Sequence, residues 1–315
     1  MRATGTLLVA THADCGLHET TPGHPERPAR LTAAIAGAAL PGAERLAVRP
    51  DGERAQEALR RVHAPALIER FERACATAPS LFDCDDNPIS VGSFRAANAA
   101  IHSCLAAAEA AIAGEGIRFW VPVRPPGHHA LRDRAMGFCF FNNAAVLAEQ
   151  LLHDGAGPVA IVDFDVHHGN GTQAHFWERD DAFFLSLHRY PFYPGTGSGD
   201  ETGGGPGWGF TRNFPLAAGA GDEIWVSAMT AGLEEILAAY APAAWVVSAG
   251  FDAHRRDPLG GMELTEDGYA RIGRLINDAA GTSPVAAVLE GGYDLGALRE
   301  SVRSFLSGLT GVAGP

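Results

Sequence analysis

Residues 159–171 read VAIVDFDVHHGNG, and this stretch indicates both a fold and a chemistry. Its first part is a nearly continuous apolar run, as expected for a parallel strand that is buried on both faces. Its second part is polar, with Asp163, Asp165 and His167 spaced two residues apart. Residues two apart on a strand point to the same face, so these side chains can act together. The stretch therefore predicts a buried strand that ends in a functional site.

Similar apolar runs recur along the chain and alternate with Ala- and Leu-rich helical stretches. The sequence predicts strands at residues 6–11, 118–123, 159–166, 182–188, 244–251 and 285–290, and helices at 93–113, 142–153, 222–239, 265–279 and 295–308. Asp222 and Thr265 are suitable N-caps for two of these helices. With right-handed crossovers, this order builds a parallel sheet with helices on both faces. A length of 315 residues fits one large α/β domain over residues 1–315.

Two segments interrupt this alternation. Residues 195–209 contain eight glycines, which predicts a mobile loop. Residues 20–28 contain three prolines, which predicts a rigid turn before a helix. For both segments, a plain connector between elements is the alternative interpretation.

Composition and charge argue against several classes of protein. The net charge is −13 and no extended basic cluster is present, unlike in a nucleic-acid-binding protein. No apolar run reaches the roughly 18 residues that a membrane helix needs. The five cysteines are scattered and form no CxxC pair, which fits a reducing compartment. We therefore expect a cytoplasmic protein that binds neither nucleic acid nor membranes, and a homo-oligomer is compatible with this composition.

Polar clusters follow the other predicted strands as well. They read RPPGHH at 124–129, SLH at 186–188, GFDAH at 250–254 and EGGYD at 290–294. In an open α/β sheet, ligands bind beyond the carboxyl ends of the strands. Five polar clusters at one edge of the sheet are hard to explain by core packing, so this edge is the predicted site.

Three residues from these clusters have the pattern of a metal site. Asp165 and His167 share one face of their strand, and Asp252 follows a later strand. Three protein ligands with an open position are typical of a catalytic zinc. For an isolated Asp-x-His pair, a helix cap and a core histidine would be the better interpretation. The presence of Asp252 and the other clusters favours the metal site.

The remaining polar residues suit acid–base chemistry. His128 and His129 are adjacent in a loop rich in proline and glycine, and an imidazole titrates near neutral pH. Tyr293 follows two glycines, and its hydroxyl can donate a hydrogen bond to an oxyanion. Asp163 lies deeper on its strand, where it could orient a histidine or help to hold a second cation.

In this order, the strings RPPGHH, DFDVHHGNGTQ, GFDAH and EGGYD resemble the histone deacetylase family. The resemblance extends from the turn at 24–28 to Tyr293. Asn170 stands where class I enzymes carry Asp, which makes the chain similar to the class II branch and its bacterial relatives. The resemblance implies the arginase–deacetylase α/β fold, with a central parallel sheet of about eight strands and helices on both faces. Residues 1–315 would then form a single catalytic domain.

The resemblance also implies the metal ions. Asp165, His167 and Asp252 would bind one Zn²⁺ per chain, which would polarise the amide carbonyl and activate a water molecule. A structural K⁺ would be bound by a second, overlapping set of residues. That set is Asp163, Asp165, His167, Ser186 and Leu187.

The catalytic residues follow from the same resemblance. His129 would be the general base and then the general acid, with His128 as its electrostatic partner. Asp163 would pair with His128, and Asn170 would pair with His129. Tyr293 would stabilise the oxyanion. The reaction would cleave the amide of an acyl-lysine in a peptide or protein, or of a small acylated amine, to a free amine and a carboxylate, usually acetate.

Four residues are expected along the substrate tunnel. Phe138 and Tyr193 would form its aromatic walls, with Tyr193 in place of the usual Phe. Gly292 would line the base of the tunnel. Leu259 would lie at its mouth, where the polyamine-deacetylating relatives carry Glu. A leucine favours an acyl-lysine stem over a cationic polyamine, because it offers only apolar contact.

Three other functions are considered. An acetylpolyamine amidohydrolase would share this chemistry and differ in substrate. A binuclear ureohydrolase of the arginase type would need further carboxylates, whereas His254 and Asn170 stand at the relevant positions. A non-catalytic acyl-amide binding protein would be expected to lack Tyr293 or the histidine pair.

Overall fold

The computed structural model describes residues 6–312, so the predicted domain limits at residues 1 and 315 lie outside the described residues. Its strands are β1 (Leu7–Ala10), β2 (Glu44–Leu46), β3 (Ser80–Phe82), β4 (Cys84–Ile89), β5 (Arg118–Val121), β6 (Val159–Asp163), β7 (Ala182–Arg189), β8 (Thr211–Leu216), β9 (Ala244–Ala249) and β10 (Val285–Leu289). Eight of them form one parallel sheet in the order β2-β1-β5-β10-β9-β6-β7-β8. The other two, β3 and β4, form an antiparallel hairpin. The predicted eight-stranded parallel sheet is confirmed.

The six strands predicted from the sequence are the six inner strands of this sheet. The two that were not predicted, β2 and β8, lie at its edges. β2 has three residues and is largely exposed, while β8 contains polar residues and Pro215. An edge strand is covered on fewer sides, so its sequence need not be apolar. The local pattern therefore could not reveal these two strands.

The helices are α1 (Ala29–Gly37), α2 (Gly52–Val62), α3 (Pro65–Ala76), α4 (Ser93–Ile112), α5 (Asn143–His153), α6 (Asn170–Phe176), α7 (Asp222–Ala239), α8 (Glu266–Ala280) and α9 (Leu295–Thr310). All five predicted helices are present as α4, α5, α7, α8 and α9, and α1 follows the proline-rich turn. The helices α2, α3 and α6 were not predicted. Within residues 6–312, no helix has the length and apolar character needed to cross a membrane.

The predicted N-cap of α7 was wrong, whereas Thr265 stands at the N-cap of α8 as predicted. Asp222 is the first residue of α7, after an N-cap glycine, and Thr265 makes no side-chain cap bond to α8. Instead, the Asp222 carboxylate accepts hydrogen bonds from the backbone N–H and the hydroxyl of Thr265, at 2.8 and 2.6 Å. The carboxylate thus joins the starts of two helices that are far apart in sequence.

Each face of the sheet has its own apolar core. Helices α2 to α6 contribute to one core, α7, α8 and α9 contribute to the other, and α1 contributes to both. Successive strand residues face opposite cores: Phe119 belongs to the first and Trp120 to the second. Burying an aromatic side chain of this size contributes roughly 1.5–3 kcal/mol. The inner strands are therefore apolar on both faces, and polar residues follow them only where the strands end.

The glycine-rich segment at 195–209 has little regular structure, and its first part is anchored. The Glu201 carboxylate accepts the backbone N–H groups of Gly197 and Ser198, at 2.9 and 3.0 Å. The Gly197 carbonyl is bonded to Nε2 of the buried His188, at 2.9 Å. These bonds hold the loop directly after Tyr193 against the carboxyl end of β7.

Candidate metal centre and active site

The three predicted metal ligands meet at the carboxyl ends of β6 and β9. These two strands are hydrogen-bonded neighbours, so the residues that follow them are adjacent. One ligand atom from each of Asp165, His167 and Asp252 lies within 4.8 Å of the others. In the part of the chain that the structure describes, this is the only group of three or more such side chains with that spacing.

Backbone groups orient the two carboxylates. Asp165 Oδ2 accepts the N–H of Gly291 at 2.8 Å, and Asp252 Oδ1 accepts the N–H of Val166 at 2.9 Å. The remaining oxygens, Asp165 Oδ1 and Asp252 Oδ2, lie 3.1 and 3.2 Å from His167 Nδ1. Asp252 Oδ2 is buried and has no hydrogen-bond partner among residues 6–312. Two carboxylate oxygens and one imidazole nitrogen therefore face a common point, and this donor set fits a divalent cation such as Zn²⁺.

The pKa values of Asp252 and His167 also indicate a site for a cation. Burial and the neighbouring charge of Asp165 raise the pKa of the Asp252 carboxyl to about 7. Burial disfavours the His167 cation, but the bond to Asp165 and the negative charge of the adjacent Asp252 carboxylate outweigh burial and raise the pKa of His167 to about 9. Without a metal, His167 thus carries a proton between the two carboxylates. A bound cation would take the place of this proton.

The predicted histidine pair lies beside the metal group, and each imidazole has its own partner. His128 Nδ1 is bonded to Asp163 Oδ2 at 2.9 Å, and His129 Nδ1 is bonded to Asn170 Oδ1 at 2.8 Å. The two ring centroids are 4.0 Å apart. One imidazole is therefore bonded to a carboxylate and the other to a neutral amide.

These partners give the two histidines opposite protonation states. Burial lowers the pKa of His128, but Asp163 and Asp165 outweigh burial and raise it to about 10. Burial and the charges of His128 and His167 hold the pKa of His129 well below its ordinary value. Without a metal, these shifts favour a cation at His128 and a neutral base at His129 at neutral pH.

Tyr293 approaches the metal group from the loop after β10. Burial raises the pKa of its hydroxyl well above the ordinary value, so the hydroxyl stays protonated and can donate. The two residues before Tyr293 are glycines, and a side chain at either position would crowd neighbouring atoms. A Cβ on Gly291 would lie 2.1 Å from Asp252 Oδ2, and Gly292 has a φ of +114° with Phe251 and Leu298 packed around it. Gly292 thus packs against Phe251, the residue before the metal ligand Asp252.

The two predicted aromatic wall residues lie close to the catalytic candidates Tyr293 and His129. The Phe138 ring is 5.9 Å from the Tyr293 ring, and the Tyr193 ring is 5.1 Å from that of His129. Phe138 has a φ of +67°, which is rare for a bulky residue. Its backbone N–H donates to Oδ1 of the buried Asn87 at 2.7 Å, which holds it in that conformation.

Leu259 lies on the loop that follows Asp252 and is 36% exposed. The next residue, Gly260, packs directly on Asp252, because a Cβ there would lie 1.8 Å from the Asp252 carbonyl oxygen. The loop therefore returns to the metal group at this point. Leu259 is thus a partly exposed apolar residue next to the site.

The residues implied for a K⁺ site are gathered at the ends of β6 and β7. Asp163 and Ser186 are partners across the two strands. Asp163 Oδ1 accepts the N–H of Asp165 at 3.0 Å, and Ser186 Oγ is bonded to His188 Nδ1 at 2.9 Å. Leu187 is buried on β7, next to Ser186. Carboxylate, hydroxyl and carbonyl oxygens suit a hard cation.

Several buried charges support the site and were given no role from the sequence. Glu290 Oε2 accepts the N–H groups of Gly127 and His128, at 2.6 and 3.1 Å. The Arg30 guanidinium donates to the carbonyls of Gly292 and Glu290, at 2.6 and 2.5 Å. Glu26 Oε1 accepts from Arg30 at 3.0 Å and from Arg124 at 2.5 Å. The available signal was that Glu26, Arg124 and Glu290 stand within the PER, RPPG and EGG strings of the motifs, whereas Arg30 lies outside them.

The chain belongs to the histone deacetylase family, because the family model for the histone deacetylase domain matches residues 24–309. Histone deacetylase 15 of Arabidopsis thaliana is 38% identical over 294 residues, which cover 91% of this chain and 53% of the relative. A probable deacetylase of Archaeoglobus fulgidus is 34% identical, with 96% of this chain and 86% of the relative covered. An acetylpolyamine amidohydrolase of Mycoplana ramosa is 42% identical, with 72% and 66% covered. The chain thus spans about half the length of the plant relative.

Solved structures share this fold. The crystal structure of the HDA15 HD domain has a TM-score of 0.91 at 37% identity, covering 99% of this chain and 90% of that chain. The crystal structure of an acetylpolyamine aminohydrolase from Burkholderia pseudomallei has a TM-score of 0.83 at 31% identity, covering 96% and 98%. The architecture predicted as the arginase–deacetylase fold is therefore confirmed.

The geometry of the metal group gives a first prediction. Asp252→Asn should weaken Zn²⁺ binding by more than the roughly 10–100-fold that changes outside the ligand set typically cause. Competition with a chromophoric chelator measures the affinity. Asp222→Asn, which alters a carboxylate that joins two helices, is the matched control and should keep the affinity of the unaltered protein. An unchanged affinity in Asp252→Asn, or two tightly bound ions per chain, would contradict a mononuclear site at this position.

The histidine pair gives a second prediction, for the metal-free protein. Nitrogen-15 spectra of the imidazoles should show His128 doubly protonated up to a pH near its pKa of about 10, while His129 stays neutral at pH 7. In Asp163→Asn, the pKa of His128 should fall, because the carboxylate that stabilises its cation is gone. The pKa of His129 should rise, because a neutral neighbour no longer repels its proton. His63, whose pKa burial lowers to about 3, is the internal control. Two histidines titrating together near about 6.5 would disprove the asymmetry.

Proposed function

We propose that this chain is a zinc-dependent deacylase that hydrolyses the amide of an acyl-lysine in a peptide or protein to a free amine and a carboxylate, usually acetate. The observation that carries the proposal is the meeting of three groups at one edge of the sheet. These groups are the metal-ligand set, a neutral histidine beside it and a protonated tyrosine hydroxyl. Membership of a family whose members are named deacetylases and amidohydrolases supports it.

Asp165, His167 and Asp252 would hold the Zn²⁺. When bound, the ion would supply Lewis acidity to the amide carbonyl and to a water molecule. His129 accepts the proton of the attacking water, because its low pKa keeps Nε2 free at neutral pH. Asn170 fixes the orientation of the ring through Nδ1. His129 then returns the proton to the leaving amine.

The other residues stabilise charge and exclude water. His128 remains a cation through its bond with Asp163, and it lies beside the reacting groups without taking part in proton transfer. The Tyr293 hydroxyl donates a hydrogen bond to the developing oxyanion in a largely dry site, where such a bond is strong. Phe138 and Tyr193 shield the lysine stem, and Gly292 lines the base of the tunnel.

Further features of the protein are part of the same proposal. Asp163, Asp165, His167, Ser186 and Leu187 would bind a structural K⁺, which would partly neutralise the buried carboxylates. Residues 1–315 would form one catalytic domain, since both apolar cores are built on the same sheet. The scattered cysteines support a cytoplasmic location.

An acetylpolyamine is the second candidate substrate. The relatives named acetylpolyamine amidohydrolase, including the one from Mycoplana ramosa, favour it. The net charge of −13 also favours a cationic substrate, but such a diffuse field is screened beyond about 8–10 Å at ordinary salt. Leu259 lies next to the site and offers no charge, so we give it more weight and place acyl-lysine first.

The mechanism predicts the effect of removing the Tyr293 hydroxyl. In Tyr293→Phe, kcat should fall by about 10²-fold or more, since an oxyanion donor is lost, while zinc content stays unchanged. Steady-state kinetics and atomic emission spectroscopy measure the two quantities. Tyr269→Phe is the matched control, because it removes a buried hydroxyl that has no hydrogen-bond partner among the described residues. Turnover near that of the unaltered enzyme in Tyr293→Phe would remove Tyr293 from the mechanism.

If acyl-lysine is the substrate, the enzyme should prefer it to acetylpolyamines, and a carboxylate at position 259 should shift this preference. The enzyme should show higher kcat/KM on acyl-lysine peptides than on acetylspermidine or acetylputrescine. Leu259→Glu should shift the ratio toward the polyamines, because a carboxylate at the mouth attracts a secondary ammonium group. Leu237→Glu adds the same charge at an exposed leucine on α7 and should leave the ratio unchanged. A tenfold or greater preference of the unaltered enzyme for an acetylpolyamine would overturn the choice of acyl-lysine.

A further inference from the structure

Asp257 connects two loops that border the metal group. Its side chain is buried, with 9% of the residue exposed. Asp257 Oδ2 accepts the backbone N–H of Tyr293 at 2.7 Å, and Oδ1 accepts the backbone N–H of Leu259 at 2.9 Å. Because each oxygen serves a different loop, one rigid carboxylate sets the position of the tyrosine loop relative to the loop that carries Leu259.

The tyrosine loop depends on such bonds for its conformation. Gly291 and Gly292 precede Tyr293, and glycine residues impose little conformational restriction of their own. The Arg30 guanidinium holds the carbonyls of Glu290 and Gly292 and lies 4.8 Å from the centroid of the Tyr293 ring. Asp257 holds the N–H that follows these carbonyls. A buried cation and a buried anion thus fix successive backbone groups around Gly291 and Gly292, which have no side chains to fix them.

We propose that Asp257 is a positioning residue for Tyr293, which sets the place of the tyrosine hydroxyl by holding the tyrosine backbone N–H. Asp257 acts through Tyr293 and touches no reacting atom. The inference rests on the proposed function, in which this hydroxyl stabilises the oxyanion. It also links the hydroxyl to Leu259, because both backbone N–H groups share one carboxylate.

Asp257→Asn tests this role with little change of volume. The asparagine keeps one acceptor oxygen, but its NH₂ group turns a donor toward the other backbone N–H, so one of the two bonds must be lost. We expect kcat to fall by about 10-fold or more while KM changes by less than about 3-fold, because a displaced donor weakens the transition state more than substrate binding. Zinc content should remain that of the unaltered enzyme.

A double-mutant cycle separates positioning from general damage to the structure. In the Tyr293→Phe background, Asp257→Asn should lower kcat by less than about 3-fold, because the hydroxyl that Asp257 positions is already gone. Asp222→Asn is the matched control. Asp222 also accepts a backbone N–H from a distant loop, but at the starts of α7 and α8, and its replacement should not lower kcat in either background.

The surroundings of Tyr293 can also be measured by fluorine-19 spectra, which do not depend on enzyme activity. The chain has five tyrosines, so 3-fluorotyrosine labelling gives few fluorine-19 signals, and Tyr293→Phe identifies the signal of Tyr293. In Asp257→Asn, the signal of Tyr293 should shift or broaden. The signal of Tyr240, whose hydroxyl donates to the Val159 carbonyl at 2.7 Å, should not change.

The outcomes distinguish this inference from the proposed function. An equal loss of kcat in both backgrounds, or an unchanged signal of Tyr293, would overturn the role of Asp257 and leave the deacylase proposal intact. If Tyr293→Phe retained full activity, the oxyanion role would fail. A shifted signal would then show that Asp257 positions a tyrosine without catalytic importance, which also overturns the inference as stated.

Discussion

Two carboxylates buried side by side, those of Asp165 and Asp252, impose the constraint on which the rest of the site depends. An uncompensated buried charge costs several kcal/mol even after the protein relaxes. Backbone N–H groups bond to both oxygens of Asp165 but to only one oxygen of Asp252. Asp165 Oδ1 and Asp252 Oδ2 both face His167, which compensates them with a proton and would compensate them with a metal ion. The free energy of this arrangement therefore favours binding of a cation.

Buried charges further from the metal group are also compensated by partners. Asp163 compensates the His128 cation, and Glu290 is held by two backbone N–H groups of the histidine loop. Glu26 lies between Arg30 and Arg124, and Arg30 in turn holds the carbonyls of the tyrosine loop. Each charged group fixes a loop because it must be compensated. The catalytic geometry is thus a consequence of electrostatic compensation in a dry environment.

The difference between the two histidines follows from this environment. Both imidazoles are buried, and their sequence positions are adjacent, yet one has a carboxylate partner and the other an amide. The proton therefore stays on His128, and its charge helps to keep His129 neutral. The amide at position 170 orients His129 and carries no charge, so its bond raises the pKa of His129 too little to offset burial and the neighbouring charges. This suits a base that must be free at neutral pH.

The sequence by itself determined the six inner strands, five of the helices and the clusters that meet at the carboxyl ends of the strands. It could do so because the spacing of apolar residues and the motifs at strand ends depend only on residues that are neighbours in the sequence. Only the tertiary structure decided the edge strands β2 and β8, the joining of α7 to α8 by Asp222, and the contacts of Arg30 and Asp257. Arg30 bonds to a carbonyl 262 residues away, and Asp257 to an N–H 36 residues away. Such bonds depend on how distant loops come together, and no local pattern of residues encodes them.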